Sequence, residues 1–549
     1  MPEALQLLRE GRTKELWQRC CGFIDLSIDE VMAVQRRLLL EQLESLARST
    51  LGRRVMRGAE PRTVEEFRAL VPITTYDDYV PYLTERMEDT LPGKPLLWQH
   101  TAGLRCYSGE YEFKWVPVTA RMYRELGDTC LAMLLFGSCR KRGDVVLEEH
   151  DKFLYGLAPP PYASGSWGRR AAEEGVFDFL PPIDEAERMR FEERIQKGFE
   201  MGLTGGIDLL MAMSSVLVAV GERLSRDLTL RNVAQMLVRR KLPARVLGAI
   251  IKSRLAGRPV LPRDLWSLKA VVSTGTDATV YRERIKRMWG RYPLSVYGST
   301  ETVILATQLW DYDAMTFLPH TNFLEFVPED ECRKWLADRT YRPEILLLDE
   351  VEEGQNYGIV ITNFYGGSFV RYFLGDVVKI TSLRNDRLNV DIPQMLVDSR
   401  IDGVIDVVGI TRITEKTIWQ AIEDSGLPYR EWTVRKELGQ HPRMHVYLEL
   451  KAGAKTTSSQ AAWAIHEQLR KLDNFYGAQA VLSEELPLEV TLLAPGSFRG
   501  YMLKQREAGA DLAHLKPPHI NPPDEALRFL LGPHVRDLRV EDSLETVRP

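Results

Sequence analysis

Apolar residues recur at i, i+3, i+4 and i+7 through Val34 to Ala47, with charges between them. That period predicts an amphipathic helix, and the first 60 residues read as helical. Thr63 followed by Glu66 predicts a capping box at the start of the next helix. From about 65 to 395 the pattern alternates. Residues 269–273 and 357–362 are β-like runs, whereas 186–202 and 280–291 carry helical spacing. Such alternation predicts stacked α/β layers. Residues 151–167, with three consecutive prolines at 159–161 and several glycines, read as a long loop.

Around 384–400 the pattern changes. A smaller unit follows, with a β-like stretch at 400–408, a helix at about 415–424, a strand at 444–450 and a helix at about 459–472. The expected fold class is therefore α/β: a large multi-layer N-terminal domain over 1–395, sheets packed with helices, and a smaller α+β C-terminal domain over 396–549. The last stretch, 517–549, reads as an irregular tail. At 549 residues the chain exceeds what one hydrophobic core holds, which agrees with two domains.

Composition removes several classes of function. Hydrophobic residues make up 44% and charged residues 27%, ordinary for a globular protein. The net charge of −5 gives no bulk basic field for nucleic acid. The basic clusters at 239–241 and 282–287 read as solvated helix faces. Six cysteines, with no C-x-x-C pair, fit a reducing compartment rather than a disulfide scaffold. No signal-like apolar segment opens the chain, and the most apolar stretch, 209–221, is shorter than the roughly 20 residues a bilayer requires. The expectation is a cytoplasmic monomer with no membrane or nucleic-acid partner.

Candidate chemistry sits in short islands. Tyr297-Gly298-Ser299-Thr300-Glu301 follows a strand-like run. Its hydroxyls suit phosphate, its carboxylate suits Mg²⁺, and Tyr297 suits an adenine face. The competing reading is a strand-to-turn corner whose Ser and Thr cap a helix. Arg371 to Asp376 reads as a Gly turn that sets a carboxylate before a strand. Carboxylates grip vicinal ribose hydroxyls, but a local turn cap has the same pattern. Residues 272–277 end another strand with hydroxyls and a Gly, as an adenine-edge or acyl-pocket wall or as a helix N-cap. Lys516, before Pro517 and Pro518, is by itself an exposed lysine. The nine histidines show no zinc-ligand spacing, and no Walker A, G-x-S-x-G or G-x-G-x-x-G pattern is present.

Taken together these islands resemble the Gretchen Hagen (auxin-responsive promoter) family of acyl-acid amido synthetases, a branch of the luciferase-like adenylate-forming superfamily. The likeness extends over residues 35–39, 71–79, 114–119, 318–328, 353–357, 374–378, 495–498 and 509–517. It implies an adenylation domain and a C-terminal domain that swings between half-reactions. ATP and Mg²⁺ would be the cofactors, and a small carboxylic acid and an amino acid the substrates. Tyr297, Gly298, Ser299, Thr300 and Glu301 would be the nucleotide and metal motif, with Glu301 on Mg²⁺. Asp376 would hold the ribose, Arg400 and Asp402 would form the hinge, and Arg412 would stand near the nucleotide. Lys516 would be the mobile catalytic lysine. In the phosphate loop only Ser108, Gly109 and Lys114 fit the family pattern. Arg105 could serve as a phosphate donor, whereas Glu110 and Glu112 add negative charge, and Phe373 stands where the family often has an arginine. Two other readings share these residues: an acid–CoA ligase, and a catalytically silent relative that binds a small acid or a partner protein.

Overall fold

The computed structural model describes residues 4–104, 113–173, 175–189, 191–227, 244–274, 278–401, 404–407, 411–437, 443–473, 476–477, 486–507 and 519–532. The chain divides into two compact units, Met1–Ile401 and Asp402–Pro549.

The first unit opens with helices Ala4–Arg9, Thr13–Cys21, Ile28–Arg48, Thr50–Val55 and Val64–Leu70. Ser27 and Glu30 close a full capping box on the longest of them. At Val64–Leu70 only half of the expected box forms: Thr63 accepts from the Glu66 amide, while Glu66 turns its carboxylate to the Arg62 amide. The buried stripe of Ile28–Arg48 includes two glutamines, and both bind backbone. Gln35 bonds Asn322 O and Leu324 N, and Gln42 bonds Gly367 O and Gly366 N. Buried amides are costly unless paired, so these four bonds fix the helix in one position on the sheet.

The strands in chain order are β1 (Pro95–Leu104), β2 (Phe113–Thr119), β3 (Lys152–Gly156), β4 (Asp178–Leu180), β5 (Leu209–Met213), β6 (Ala270–Thr274), β7 (Leu294–Tyr297), β8 (Ala306–Gln308), β9 (Met315–Phe317), β10 (Asn322–Pro328), β11 (Asn356–Asn363), β12 (Tyr372–Ser382) and β13 (Gln394–Arg400). β1 and β2 form an antiparallel pair. The other eleven form one sheet in the order β10-β11-β12-β13-β9-β8-β7-β6-β5-β3-β4. Strands β4, β3, β5, β6 and β7 run parallel, and from β7 to β10 every pairing is antiparallel. The switch falls at β7. In open α/β sheets ligands bind beyond the carboxyl ends of the strands where the topology changes.

Several expectations are corrected. Residues 151–167 are not a long loop: Phe153, Leu154 and Tyr155 are a buried strand inside the sheet, and a helix starts at Ala163. The glycines there serve packing. A Cβ at Gly165 would collide with Pro159 and Pro160, and one at Gly168 would come within 2.7 Å of Tyr155. The single helix expected over 186–202 is two, Ile183–Ala186 and Phe191–Gly205. The apolar run 209–221 is strand β5 passing into helix Ser214–Asp227. Among the described residues no helix is long and apolar enough to cross a membrane.

The second unit carries the hairpin β14 (Val404–Val407) and β15 (Thr411–Thr414), and a three-stranded sheet of β16 (Tyr429–Glu437), β17 (Arg443–Leu450) and β18 (Leu488–Leu493). One face of that sheet, with Trp432, Val434, Met444, Val446, Leu488 and Val490, packs on Ile418, Ile422, Ile465 and Leu469 of helices Glu415–Asp424 and Ser458–Leu472.

Candidate functional site

β7 delivers Tyr297 to the switch point, and the chain then turns sharply. Gly298 is required there, because a Cβ would collide with the carbonyl of Val303. Val303 itself takes a left-handed φ of 66°. The Ser299 amide donates to Thr302 Oγ1 at 2.9 Å, and Leu305 N returns to Tyr297 O at 2.9 Å. No helix follows for Ser299 or Thr300 to cap: a turn closed by Thr302 leads into β8. This corner holds Ser299, Thr300 and Glu301 in a fixed array.

The stretch 371–376 is not a turn. β12 runs continuously from Tyr372 to Ser382, and Gly375, with φ 80°, sits in a bulge where the register with β11 slips between Gly358 and Val360. A bulge re-aims the next side chain. Asp376, 5% exposed, accepts a 2.7 Å hydrogen bond from the Tyr297 hydroxyl. Four strand steps separate β7 from β12, about 19 Å if the sheet were flat. The bond therefore requires the sheet to curl, and it joins two islands 79 residues apart.

Glu301 is 6% exposed, and its backbone carbonyl is held by Asn363 Nδ2 at 2.9 Å. Asn363 also bonds Asn322 and the Phe369 amide, so one buried side chain fixes three segments. The Glu301 carboxylate faces Tyr372 and Lys114. Tyr372 OH lies 3.4 Å from its Oε1, Lys114 Nζ lies 4.0 Å from the same oxygen, and Lys114 donates to Tyr372 OH at 3.3 Å. Lys114 also stands 5.7 Å above the Tyr76 ring. Among the described residues, none donates a hydrogen bond to Glu301 Oε2. A single buried carboxylate with one open oxygen, among hydroxyls at a strand end, suits Mg²⁺, which takes one or two carboxylates and keeps waters.

Lys114 was legible as the last residue of the 101–114 stretch. Tyr372 and Asn363 carried no sequence signal, because each acts through a contact between distant strands. Arg371, the first residue of its island, does not reach the site. It forms a bidentate pair with Glu325 at 2.9 and 2.7 Å and donates to the carbonyls of Arg68 and Val71, fully inside the core. Phe373 packs on Trp335 with ring centroids 5.3 Å apart, in a small apolar cluster with Val327, Cys332 and Val360. Arg400 ends β13, paired in register with Asp376. Arg412 lies in β15, opposite Asp406. Ser108, Gly109, Asp402 and Lys516 lie outside the described residues, as do Arg105, Glu110, Glu112 and residues 275–277.

A model of the GH3 family N-terminal domain matches residues 20–145, and a model of the GH3 family central domain matches 315–393. Over these two segments the chain is similar to the GH3 family. Its relatives include a jasmonoyl–L-amino acid synthetase, GH3.5, from Oryza sativa subsp. japonica, 25% identical over 274 residues and covering 46% of each chain. Another is the 4-substituted benzoates-glutamate ligase GH3.12 of Arabidopsis thaliana, 25% identical over 258 residues and covering 43% of this chain and 42% of that one. The chain thus spans less than half the length of these relatives. The acyl acid amido synthetase AtGH3.15 in complex with 2,4-DB shares the fold at a TM-score of 0.52 and 18% identity, over 93% of this chain and 95% of that one. A 2-hydroxyisobutyryl-CoA ligase does so at 0.54 and 14%, over 90% and 94%. The large α/β unit and the smaller C-terminal unit are thus a fold shared with these two structures.

Proposed function

We propose that this protein is a member of the GH3 family and an ATP-dependent ligase that joins a small carboxylic acid to an amino acid through an acyl-adenylate. The observation that carries this reading is the convergence of Tyr297, Glu301 and Asp376 at the switch of the sheet, with Tyr297 bonded to Asp376 at 2.7 Å. The acid–amino acid ligases among its relatives favour an amide product over a thioester.

In the first half-reaction a carboxylate oxygen attacks the α-phosphorus. The bond from that phosphorus to pyrophosphate breaks, and pyrophosphate leaves with the electron pair. Tyr297 offers a ring face to adenine, and Asp376, aimed by Tyr297, accepts from the ribose hydroxyls. Ser299 and Thr300 donate to phosphate oxygens. Glu301, steadied by Tyr372 and Lys114, would hold Mg²⁺, which neutralises phosphate charge when bound. Lys516 supplies the cation for the charge that builds at the α-phosphate. In the second half-reaction the amine nitrogen attacks the acyl carbon, the bond to AMP breaks, and the amine proton passes to solvent. The C-terminal unit, hinged near Arg400 and Asp402, exchanges Lys516 for the acceptor, with Arg412 beside the nucleotide. The protein works as a cytoplasmic monomer.

The test is ATP–pyrophosphate exchange by the purified chain with Mg²⁺ and a panel of small carboxylic acids, followed by addition of amino acids or coenzyme A. Acid-dependent exchange with an amide product is expected. A thioester would move the assignment to an acid–CoA ligase. Absence of both exchange and ATP binding would make the chain a silent small-acid or protein binder, as the altered 101–114 stretch would allow.

A further inference from the structure

The three-stranded sheet of the second unit has a second face. Alternate residues place Arg435 and Glu437 of β16, Arg443, His445 and Tyr447 of β17, and Glu489 and Thr491 of β18 on it. Half of this face is apolar, where Tyr447 and Leu493 pack on Phe498, Leu527 and Leu530. The other half is polar and centres on His445.

His445 is buried at 8% exposure, with its ring stacked on Tyr447 at 4.3 Å. Nε2 lies 2.7 Å from Thr491 Oγ1. Nδ1 is shut off from solvent and makes no hydrogen bond. It lies 2.9 Å from Glu437 Oε2, yet off the direction in which a ring N–H would point. One ring nitrogen of His445 and one oxygen each of Glu437 and Glu489 lie within 4.8 Å of one another. Each carboxylate commits one oxygen elsewhere. Glu437 Oε1 takes Tyr447 OH at 2.7 Å and Arg435 Nε at 3.3 Å, and Glu489 Oε2 takes Arg443 Nη1 at 3.0 Å. Glu437 Oε2 thus faces a buried imidazole nitrogen that makes no well-aligned hydrogen bond among the described residues, with a Glu489 carboxylate close by.

We propose that Glu437, His445 and Glu489 bind a divalent transition-metal cation of the Zn²⁺ class on the outer face of this sheet. Nε2–H donating to Thr491 fixes the tautomer that leaves Nδ1 as the ligand, the second-shell arrangement usual for metal-bound histidine. Zn²⁺ holds N and O ligands at about 2.0–2.2 Å, which sets them roughly 3.4 Å apart in a tetrahedron. The two glutamates, 32% and 46% exposed, close that gap by side-chain rotation alone. Arg435 and Arg443 keep their carboxylate bonds and lower the site's net negative charge. That disfavours hard cations bound by charge alone and leaves selectivity to the imidazole, which suits Zn²⁺, Cu²⁺ and Ni²⁺ over Mg²⁺ and Ca²⁺. The ion ties the three strands together at the edge that the helices leave open, and it is separate from the Glu301 site.

The experiment is calorimetric titration of the full chain with Zn²⁺ near neutral pH, beside the variants His445→Ala, Glu489→Gln and the distant surface control His150→Ala. One Zn²⁺ per chain is expected for the wild type and the control, with melting of the protein moved upward on binding. His445→Ala and Glu489→Gln lose roughly tenfold or more in affinity, and Thr491→Val loses less. Glu489 is exposed at the sheet edge, so its variant folds whatever becomes of His445→Ala. Co²⁺ in place of Zn²⁺ gives tetrahedral absorption bands that vanish in Glu489→Gln. A wild type that takes up no Zn²⁺, or a Glu489→Gln variant that binds as the wild type does, overturns the proposal.

Discussion

Replacing Tyr297 with Phe removes one oxygen and leaves the ring. The lost bond is a 2.7 Å O–H to carboxylate contact between residues 8% and 5% exposed. A hydrogen bond to a charged group contributes about 1.5–3 kcal/mol net, and burial places this one toward the upper end. If the bond serves to aim Asp376 at the ribose, its loss appears in ATP binding. At about 1.4 kcal/mol per tenfold, the KM for ATP rises about ten- to hundredfold. The catalytic rate at saturating ATP changes little, because Glu301, Lys114 and Lys516 are untouched; a KM effect with kcat preserved is the signature of lost ground-state binding. The assay is acid-dependent pyrophosphate exchange across ATP concentrations for wild type, Tyr297→Phe, Asp376→Asn and the double variant. Two residues acting through one bond are non-additive, so the double variant should be no worse than Asp376→Asn alone. A folded Tyr297→Phe protein with an unchanged KM for ATP would show that the bond only braces the sheet.

Three further outcomes test other parts of the structure. Lys516→Ala should slow adenylation about 10²-fold or more, the scale of removing a focused charge-stabilising group, while thermal melting stays where it was. Glu325→Ala leaves the Arg371 guanidinium buried without its counter-charge and should cost about 3–5 kcal/mol in denaturant unfolding. The pair Glu325→Leu with Arg371→Met should recover most of that loss, and failure to recover would mean that the Arg68 and Val71 carbonyls matter more than the ion pair. His519 gives a pH signature. Burial opposes its charge, but Glu431 and Glu415, at 3.0 and 2.7 Å, outweigh burial and raise its pKa above 6.5. A raised folded pKa contributes stability in full below the unfolded value of about 6.5 and loses it as pH climbs through the folded value. Hydrogen exchange of β16, whose Val434 amide bonds His519 O, should therefore quicken from neutral to alkaline pH in the wild type by more than the base-catalysed rise common to all amides. It should lose that dependence in His519→Phe, which keeps the stack on Trp432.

What the sequence disclosed and what it hid have physical causes. The Ile28–Arg48 helix was legible because its 3.6-residue period covers most of a 21-residue element. β3 was not, since a strand buried on both faces is a short apolar run without alternation, and the neighbouring prolines and glycines read as loop chemistry. In fact Gly168 lets a helix approach that strand closely, and Gly165 lets the same helix lie against Pro159 and Pro160. The same limit governs the site. Tyr297 to Glu301 and Asp376 were legible as types of residue at strand ends. That Asp376 sits on a bulge rather than in a turn follows from the three-versus-one count against β11, which exists only once β11 and β12 pair. The consequence is functional. A turn can be loosened by its own sequence, whereas a bulge is held by both neighbouring strands, so the aim of Asp376 depends on β11, on β13 and, through Tyr297, on β7. Substitutions at Gly358 or Gly375, far from any phosphate, should then disturb the ribose end of the site before they disturb Glu301. Glu301 hangs instead on Asn363 and the turn after β7. The two losses should differ in size without being independent, because Tyr297 begins the Glu301 motif and Tyr372 lies on the strand of Asp376.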